Sequence, residues 1–398
     1  GKTISCLGTL FNGYKGKSLI KDGSSKMLQI KEIQDVKGLK QFINLPWELY
    51  KNDPHWVPPL RRQLLRTLQG KNNPLLDNGD HAFFLVFEDG NPVGRVLVGV
   101  NEKLNREKTK KEGYISLFEA IDDQKVAFAL FEAATTWLRQ RGLTSVVGPV
   151  SPTNGDDSRG ILVQGFDGPP VLMNSYNPPY YQRFFENYGF GKNMDLFAFY
   201  LDVNRLDEPR FDRVVSYAMR KYRFQIDRFD RRQLEREIRD IKTILDLAMP
   251  ATWEHLTPPS LEEIRAEFRS LIQFMDPDLV YIARSGADPI GFVVGLPDYN
   301  QVLKRLNGRL FPFGWAKFLW FRRRITGARV FIQFVVPKFR NKAVNSAIYH
   351  RLMVEARKKG YSYGEGSAIA EMNKESIRSV EGAGGRLYRV YRIYRKEL

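Results

Sequence analysis

The segment Phe331–Asn345 reads FIQFVVPKFRNKAVN and precedes an amphipathic stretch that continues to Lys359. The apolar run predicts a strand, the proline and basic residues predict a turn, and the helical spacing that follows predicts a helix. A helix start offers unpaired backbone N–H groups and the positive end of the helix dipole, which suit a pyrophosphate. Arg340 and Lys342 add positive charge there. The segment therefore predicts a phosphate-binding loop or an ordinary basic turn between strand and helix.

The flanking sequence predicts an α/β domain around this segment. Upstream, two apolar runs separated by a glycine-containing turn predict a hairpin over Leu279–Pro297. Downstream, we expect a strand over Tyr361–Ala370, a helix over Asn373–Glu381 and a last strand over Leu387–Arg395. The order is that of an antiparallel front followed by a strand–helix–strand unit.

The first half of the chain repeats this order of elements. A hairpin is predicted over His81–Val100, followed by a strand at Tyr114–Glu119 and a helix over Val126–Gln140. We therefore predict two domains, residues 27–203 and residues 204–398, each a mixed, mostly antiparallel sheet flanked by helices. Residues 1–26 show no sustained periodicity, and we interpret them as an N-terminal extension or a cloning remnant.

The basic loop, the strand after its helix, the helix-start Asn373 and the tyrosine-rich last strand resemble the core motifs of the GNAT superfamily of acyl-CoA N-acyltransferases. The resemblance implies acetyl-CoA or a longer acyl-CoA as co-substrate. It also implies that loop amides hold the pyrophosphate and that the preceding strand binds the pantetheine arm. The residues it implicates in cofactor binding are Val335, Val336, Arg340, Asn341, Lys342, Ala343, Val344, Asn345 and Asn373.

Two departures from the GNAT pattern concern the loop and the general acid. The small loop positions are Ala343 and Asn345, and neither is a glycine, which would reach positive φ freely. Many GNAT enzymes carry a tyrosine seven residues after the helix-start asparagine to protonate the leaving thiolate. That position is Val380 here, and the same count in the first half reaches Phe184.

Further motifs resemble a family of bacterial tandem-GNAT proteins of about this length, mostly of unassigned function. These motifs are DPHWVPPL at Asp53–Leu60, YNPPYY at Tyr176–Tyr181 and NGRLFPFG at Asn307–Gly314. Some relatives of this kind are thought to acylate lipid-like amines. In the first half, Asp122 and Asp123 occupy the loop position, where carboxylates repel a pyrophosphate. We therefore interpret residues 27–203 as a degenerate copy.

Amine acylation requires a base that takes a proton from the ammonium before the free amine attacks the thioester. Glu365 and Glu371, on or beside the strand that leads to Asn373, are the candidates, and the alternative is that both are exposed strand-end acids. Tyr391, with the neighbouring tyrosines of the last strand, is the candidate substitute for the missing acid. The alternative is that it belongs to the core.

Composition limits the location and the kind of site. The chain has 398 residues, 43% of them apolar, which is typical of a folded protein. Its one cysteine, Cys6, allows no internal disulfide, and no run reaches the roughly 18 apolar residues of a membrane span. We expect a cytoplasmic protein. The four histidines and Cys6 have no metal-ligand spacing, so no metal site is predicted.

The segment Leu310–Arg324, LFPFGWAKFLWFRRR, combines large aromatic residues with three consecutive arginines. This combination is typical of an interfacial helix on an anionic membrane, so we predict a peripheral membrane contact. Two alternatives remain: a helix packed across the cleft between the two domains, and a wall of a hydrophobic acyl or substrate channel.

The net charge of +17 is compatible with polyanionic partners. Our leading interpretation is an acyl-CoA-dependent N-acyltransferase that acts on an amine of the small-molecule or lipid-like class. The alternative is a catalytically inactive GNAT-fold protein that binds CoA or another ligand. A nucleic-acid binder ranks last, because no recognised motif accompanies the charge.

Overall fold

The computed structural model describes residues 18–21, 27–70, 73–77, 79–153, 158–205, 208–250, 253 and 257–398. The strands are β1 (Ser18–Lys21), β2 (Met27–Ile33), β3 (His81–Glu88), β4 (Asn91–Val100), β5 (Glu112–Ala120), β6 (Ser145–Val150), β7 (Ile161–Gln164), β8 (Gly191–Asp202), β9 (Gln225–Arg228), β10 (Val280–Ser285), β11 (Asp288–Pro297), β12 (Gly327–Val335), β13 (Tyr363–Ala370) and β14 (Arg386–Glu397).

The helices lie between these strands along the chain. They are α1 (Val36–Leu49), α2 (Arg61–Leu68), α3 (Pro74–Asp77), α4 (Glu102–Lys108), α5 (Gln124–Arg139), α6 (Tyr181–Asn187), α7 (Glu208–Tyr222), α8 (Leu234–Ala248), α9 (Leu261–Leu271), α10 (Asn300–Leu306), α11 (Gly314–Phe321), α12 (Val344–Lys358) and α13 (Lys374–Gly382).

The described residues form two compact units that are not contiguous in sequence. Unit 1 contains the chain up to Ile161, together with Ser175–Asn193 and Ile393–Leu398, whereas unit 2 contains Leu162–Asn174 and Met194–Arg392. These units differ from the contiguous ranges 27–203 and 204–398, which remain a prediction about the sequence repeats. Residues 154–157 lie outside the described residues, as does most of the predicted extension 1–26.

Unit 1 has the strand order β1-β2-β3-β4-β5-β6-β14. Its pairs are antiparallel except β5 with β6. The central strands are apolar on both faces: in β3 the six residues from Ala82 to Phe87 are all buried, as expected for strands covered on two sides. The strand β1 precedes Met27, where the sequence shows no periodicity, and it pairs with β2 at the edge.

Unit 2 has the strand order β14-β8-β13-β12-β11-β10-β9. Here β12 and β13 are parallel. The pairs β8–β13, β9–β10, β10–β11 and β11–β12 are antiparallel. The helix α12 connects the parallel pair, as a parallel connection requires. The mixed, mostly antiparallel sheet that the sequence predicts is therefore present in both units.

The strand β8 shows why the units cross the predicted boundary. It lies at the end of the predicted first domain, residues 27–203, yet it pairs with β13 from Tyr363↔Asp202 to Ala370↔Leu196. Its Phe199 and Leu201 are buried against Met353 and Val380 in unit 2. Burying these side chains holds β8 in the second sheet, because a pairing shift of one residue would turn them to the other face.

Replacing Phe199 by alanine tests the placement of β8. The side chain is 1% exposed, and deleting a buried phenylalanine costs about 3–5 kcal/mol. Hydrogen exchange should therefore accelerate in peptides from β13 and α12, with β3 and β4 unaffected. Phe313→Ala is the matched control, because that ring is 76% exposed. Faster exchange in β3 and β4 instead would place β8 in unit 1.

Candidate active site

The basic loop adopts the predicted strand–turn–helix path. The strand β12 ends at Val335, a 3-10 turn covers Pro337–Phe339, and α12 begins at Val344. Asn341 and Ala343 both have a φ of 59°, the left-handed conformation that costs a residue with a Cβ about 1–2 kcal/mol. The loop thus has left-handed backbone without glycine. No side chain caps the N–H groups in the first turn of α12.

Beside the loop, the parallel strands β12 and β13 separate. Their pairing runs from Gly327↔Tyr363 to Val330↔Gly366 and stops there, although the strands continue to Val335 and Ala370. A register shift between β11 and β12 at the same level leaves Phe331 without a direct partner. The residues from Phe331 to Phe334 are only half-buried. The strand that the resemblance assigns to the pantetheine arm therefore separates from its neighbour at this level.

The backbone of Val335 and Val336 is divided between the sheet and this gap. The N–H of Val336 donates to the carbonyl of Ile290 at 2.9 Å. Because successive residues of a strand point their N–H groups in opposite directions, the N–H of Val335 points toward the gap. Both valine side chains are buried, so these residues could reach a ligand only through the backbone.

Arg340 has structural partners. Its Nη2 donates to the carbonyl of Ala248 at 3.0 Å and its Nε to that of Val335 at 3.4 Å. The carboxylate of Glu375, at the start of α13, lies 3.8 Å away. These contacts fix the loop against the end of α8.

The remaining predicted cofactor residues have varied surroundings. The Lys342 ammonium lies 4.8 Å from the centre of the Phe339 ring. Asn345 accepts a hydrogen bond from Gln333 at 2.9 Å, and Val344 is buried. Asn373 caps α13 through the N–H of Ser376 at 3.1 Å. The structure thus brings the loop residues together around one helix start and gives Asn373 a capping role.

Val380 is fully buried in the core of unit 2. It packs with Phe199, Leu201, Met353 and Ala383. The helix α13 therefore presents an apolar side chain at the position where many GNAT enzymes carry a tyrosine, and no proton donor is available there.

Glu365 is the centre of a buried polar cluster. Its carboxylate is fully buried and accepts hydrogen bonds from Asn174 Nδ2, the Ser367 hydroxyl and the Tyr388 hydroxyl. It is paired with Arg329 in the β12–β13 register, one position before the last pair. The cluster therefore lies where the two strands begin to separate.

Two buried arginines hold the segment Leu162–Asn174 in unit 2. Arg389 donates to the carbonyls of Gly165, Gly168 and Pro169 at 2.7–3.0 Å. Arg329 donates to the carbonyl of Leu172 at 2.6 Å and to that of Ser367 at 3.2 Å. These contacts bring the side chain of Asn174 to Glu365.

Burial governs the ionisation of the cluster. Desolvation raises the pKa of Glu365 above its ordinary value, and the positive charge of Arg329 and the donated hydrogen bonds oppose this shift. Asp298 behaves in the same way: burial raises its pKa, while hydrogen bonds from Tyr363 and from backbone N–H groups oppose the rise. A carboxyl with a raised pKa can exchange a proton nearer to neutral pH than an exposed one.

The other two predicted catalytic residues have different positions. Glu371 accepts a hydrogen bond from the N–H of Asp195 at 3.1 Å. Tyr391 is buried, and its hydroxyl has no hydrogen-bond partner of normal geometry in the described part of the chain. Burial, and then the charge of Glu365, raise the pKa of Tyr391. Among the tyrosines of β14, Tyr388 is the one that hydrogen-bonds Glu365.

Sequence reasoning missed Asn174, Ser367 and Arg329. Asn174 is distant in sequence from Glu365, and no local pattern links them. Arg329 is a basic residue in a strand, which sequence alone reads as an exposed charge. Ser367, two residues after Glu365 on the same face of β13, is the one that strand periodicity could have indicated.

In unit 1 the corresponding gap is filled by the chain itself. Asp123 caps α5 by accepting the N–H of Lys125 at 2.8 Å, and Asp122 pairs with Arg183 at 2.6 Å. The N–H of Ala120, the last residue of β5, donates to the Tyr181 hydroxyl at 2.8 Å, and its carbonyl accepts from Tyr180 at 3.0 Å. Protein groups thus satisfy both the helix start and the strand end.

The described ranges contain no converging group of three or more histidine, cysteine, aspartate or glutamate side chains that could hold a metal ion. None of the helices described combines the length and apolar character that a membrane span requires.

Comparison with curated proteins finds two relatives. The bacterial ceramide synthase of Caulobacter vibrioides is 32% identical over 390 residues, which cover 95% of this chain and 99% of that protein. Protein YghO of Escherichia coli is 32% identical over 303 residues, covering 75% of this chain and 76% of YghO. No protein-family model matches the chain.

Solved structures share the fold at low sequence identity. A tandem GNAT protein from the clavulanic acid biosynthesis pathway matches with a TM-score of 0.54 and 12% identity, over 93% of this chain and 98% of that one. The GCN5-related glucosamine N-acetyltransferase region of a fungal β-N-acetylglucosaminidase matches with a TM-score of 0.57 and 13% identity, over 98% of this chain and 39% of that one. The tandem GNAT fold predicted from the loop and its neighbours is confirmed.

The ionisation of Glu365 is testable through stability. Its pKa is raised in the folded state relative to about 4.3 in the unfolded chain. As the pH rises from about 4 through the folded-state pKa, the free energy of unfolding of the wild type should therefore fall relative to that of Glu365→Gln. The fall should be about 1.4 kcal/mol for each unit by which the pKa in the folded state exceeds that in the unfolded chain. Urea unfolding at several pH values measures this. Glu381→Gln, at an exposed site, is the control, and a pH-independent difference for Glu365→Gln would contradict the assignment.

Proposed function

The chain belongs to the family that includes the bacterial ceramide synthase of Caulobacter vibrioides and YghO of Escherichia coli, and on this basis we propose that it is an acyl-CoA-dependent N-acyltransferase whose acceptor is a lipid-like amine. A ceramide is the N-acyl derivative of a long-chain amino alcohol, and that class is the proposed acceptor. The observation that carries the proposal is the gap between β12 and β13, which has the uncapped start of α12 at one end and the buried Glu365 at the other.

The start of α12 supports binding of the acyl-CoA pyrophosphate. Its first turn has no side-chain cap, and Arg340 and Lys342 lie immediately before it. Uncapped N–H groups and the helix dipole favour a phosphate there. The half-buried strand residues from Phe331 to Phe334 leave one side of β12 open for the pantetheine arm. In unit 1 a carboxylate caps the equivalent helix, so we assign a single acyl-CoA site to the chain.

Glu365 is the proposed base. In its ionised form the carboxylate accepts a proton from the acceptor ammonium, and the amine lone pair then attacks the thioester carbonyl carbon. The C–N bond forms as the C–S bond breaks, and the nitrogen gives its second proton to the leaving sulfur, so that the products are the amide and CoA as the free thiol. Acyl-CoA supplies the activated acyl group, while Asn174, Ser367 and Tyr388 orient the carboxylate through their hydrogen bonds.

A second candidate function is binding of CoA without catalysis. The apolar Val380 at the usual general-acid position favours it. A measured turnover excludes this second function, whereas binding of acyl-CoA without transfer to any amine would support it.

The loop assignment predicts the effect of a carboxylate at the start of α12. Ala343→Asp should lower the affinity for acyl-CoA roughly tenfold or more, because the acid repels phosphate and competes for the same N–H groups. Aspartate tolerates the left-handed conformation better than most residues, so folding should be preserved. Calorimetric titration with acetyl-CoA and with a long-chain acyl-CoA measures the change. Gln233→Asp, at the equally uncapped start of α8, should bind as the wild type does. Equal affinities for all three proteins would refute the loop as the site.

The base assignment predicts a loss of turnover without a loss of binding. Glu365→Gln should reduce kcat by roughly 10²–10⁴ and leave acyl-CoA affinity unchanged. Because the pKa of Glu365 is raised, wild-type activity should fall with decreasing pH at a value above the ordinary range of a glutamate. Release of free CoA in the presence of a long-chain amino alcohol measures the rate, with Glu381→Gln as control. A Glu365→Gln enzyme with wild-type kcat would exclude Glu365 as the base.

A further inference from the structure

The strands β11 and β12 are joined by a connection much longer than the sheet requires. Pro297 and Ala328 are paired across the two strands, so a turn of about 2–5 residues would suffice. Residues 298–326 intervene instead and form the helices α10 and α11. We call this segment the helical hairpin. In unit 1 the equivalent connection, residues 101–111, carries only α4.

The helical hairpin exposes an apolar surface. Within the part of the chain that the structure describes, every phenylalanine and tryptophan exposed by half or more belongs to it. These residues are Phe311, Phe313, Trp315 and Trp320, and Leu319 lies among them at 48% exposure. Exposed aromatic clusters of this kind mark interaction surfaces in folded proteins.

Packing on the opposite side holds these residues outward. The Phe318 ring stacks on Tyr299 with centroids 5.7 Å apart, and it meets Phe274 edge-on at 6.3 Å. Val302 and Leu306 of α10 are buried. The exposed aromatic side is therefore the outer face of a packed helix pair.

The helical hairpin is also strongly cationic. Seven basic residues and no acidic residue lie between positions 304 and 324, and all seven are exposed: Lys304, Arg305, Arg309, Lys317, Arg322, Arg323 and Arg324. Arg324 lies 4.9 Å from the Trp320 ring, so cation and aromatic face solvent together. Aromatic side chains that enter the headgroup region, flanked by arginines that meet lipid phosphates, are the chemistry of an anionic bilayer contact.

The helical hairpin begins at the Glu365 cluster. Asp298 accepts hydrogen bonds from the Tyr363 hydroxyl at 2.7 Å and from the N–H of Leu172 at 2.9 Å. Gln301 of α10 donates to the Tyr363 hydroxyl at 2.9 Å. Tyr363 lies two residues before Glu365, on the same face of β13. The loop before α12 is at the other end of β12, about 26 Å away along the strand.

We propose that the helical hairpin docks unit 2 on an anionic lipid bilayer and admits the lipid amine to the Glu365 side of the gap. This inference rests on the lipid acceptor of the proposed function and adds the surface from which that acceptor enters. Acyl-CoA approaches from the loop end of β12, and the membrane-borne amine approaches from the hairpin end.

Flotation of the full chain with phosphatidylcholine vesicles, with and without about one third phosphatidylglycerol, tests the docking. The wild type should bind the anionic vesicles and bind neutral ones much more weakly. Phe313→Ser/Trp320→Ser and Arg322→Glu/Arg323→Glu should each lower binding roughly tenfold or more. Val214→Ser/Tyr217→Ser and Arg62→Glu/Arg66→Glu change exposed residues elsewhere and should bind as the wild type does. Failure of the wild type to bind anionic vesicles, or unchanged binding of both hairpin variants, would overturn the proposal.

Transfer assays separate this inference from the proposed function. With a short-chain, water-soluble amino alcohol as acceptor, both hairpin variants should retain wild-type turnover, whereas with a long-chain amino alcohol in anionic vesicles they should lose it at least tenfold. Vesicle binding without any transfer by the wild type would contradict the proposed function and leave the docking surface standing. Transfer from vesicles that the hairpin variants perform at the wild-type rate would contradict the docking surface alone.

Discussion

Two buried guanidinium groups, those of Arg329 and Arg389, determine how unit 2 is assembled. A buried cation is tolerated only when its donors are satisfied and its charge is balanced. Here the donors are met by backbone carbonyls between Gly165 and Leu172 and by that of Ser367. The buried carboxyl groups of Glu365 and Asp298 balance the charges when both are ionised. These carbonyls belong to a segment of the first half of the chain. Unit 2 therefore needs that segment to satisfy the two guanidinium groups that it buries.

The same requirement places a carboxyl group at the point where β12 and β13 separate. Glu365 is held by three donors, and burial raises its pKa. In a structural ion pair such a shift would be a cost, because it opposes the charged form that the pair needs. Next to a gap between parallel strands the raised pKa gives a group that takes up a proton at a higher pH than an exposed glutamate does. The energetic cost of the cluster and the proposed use of Glu365 as a base therefore arise from one cause, the removal of water.

Local patterns predict much of the fold and less of the site. The path from β12 through the loop to α12 follows from apolar runs, a proline and helical spacing, and all three are local. The sequence could not show that β8 belongs to unit 2 or that the end of β14 belongs to unit 1. Their alternating apolar residues fit either sheet, and the pairing is decided by distant side chains such as Met353. The site has the same limit: Tyr388 and Tyr391 look equivalent in sequence, and only the tertiary structure brings the Tyr388 hydroxyl to Glu365.

The two copies of the fold differ in what they offer at the same helix start. A helix N-terminus has a fixed set of free N–H groups, and a carboxylate from the chain competes with an external phosphate for them. Asp123 takes that place in unit 1, and no side chain takes it in unit 2. The copy with the capped helix is complete without a ligand, whereas the other copy takes Asn174 from the first half into its polar cluster. One unit thus closes its gap with its own side chains, whereas the polar cluster of the other draws on both halves of the chain.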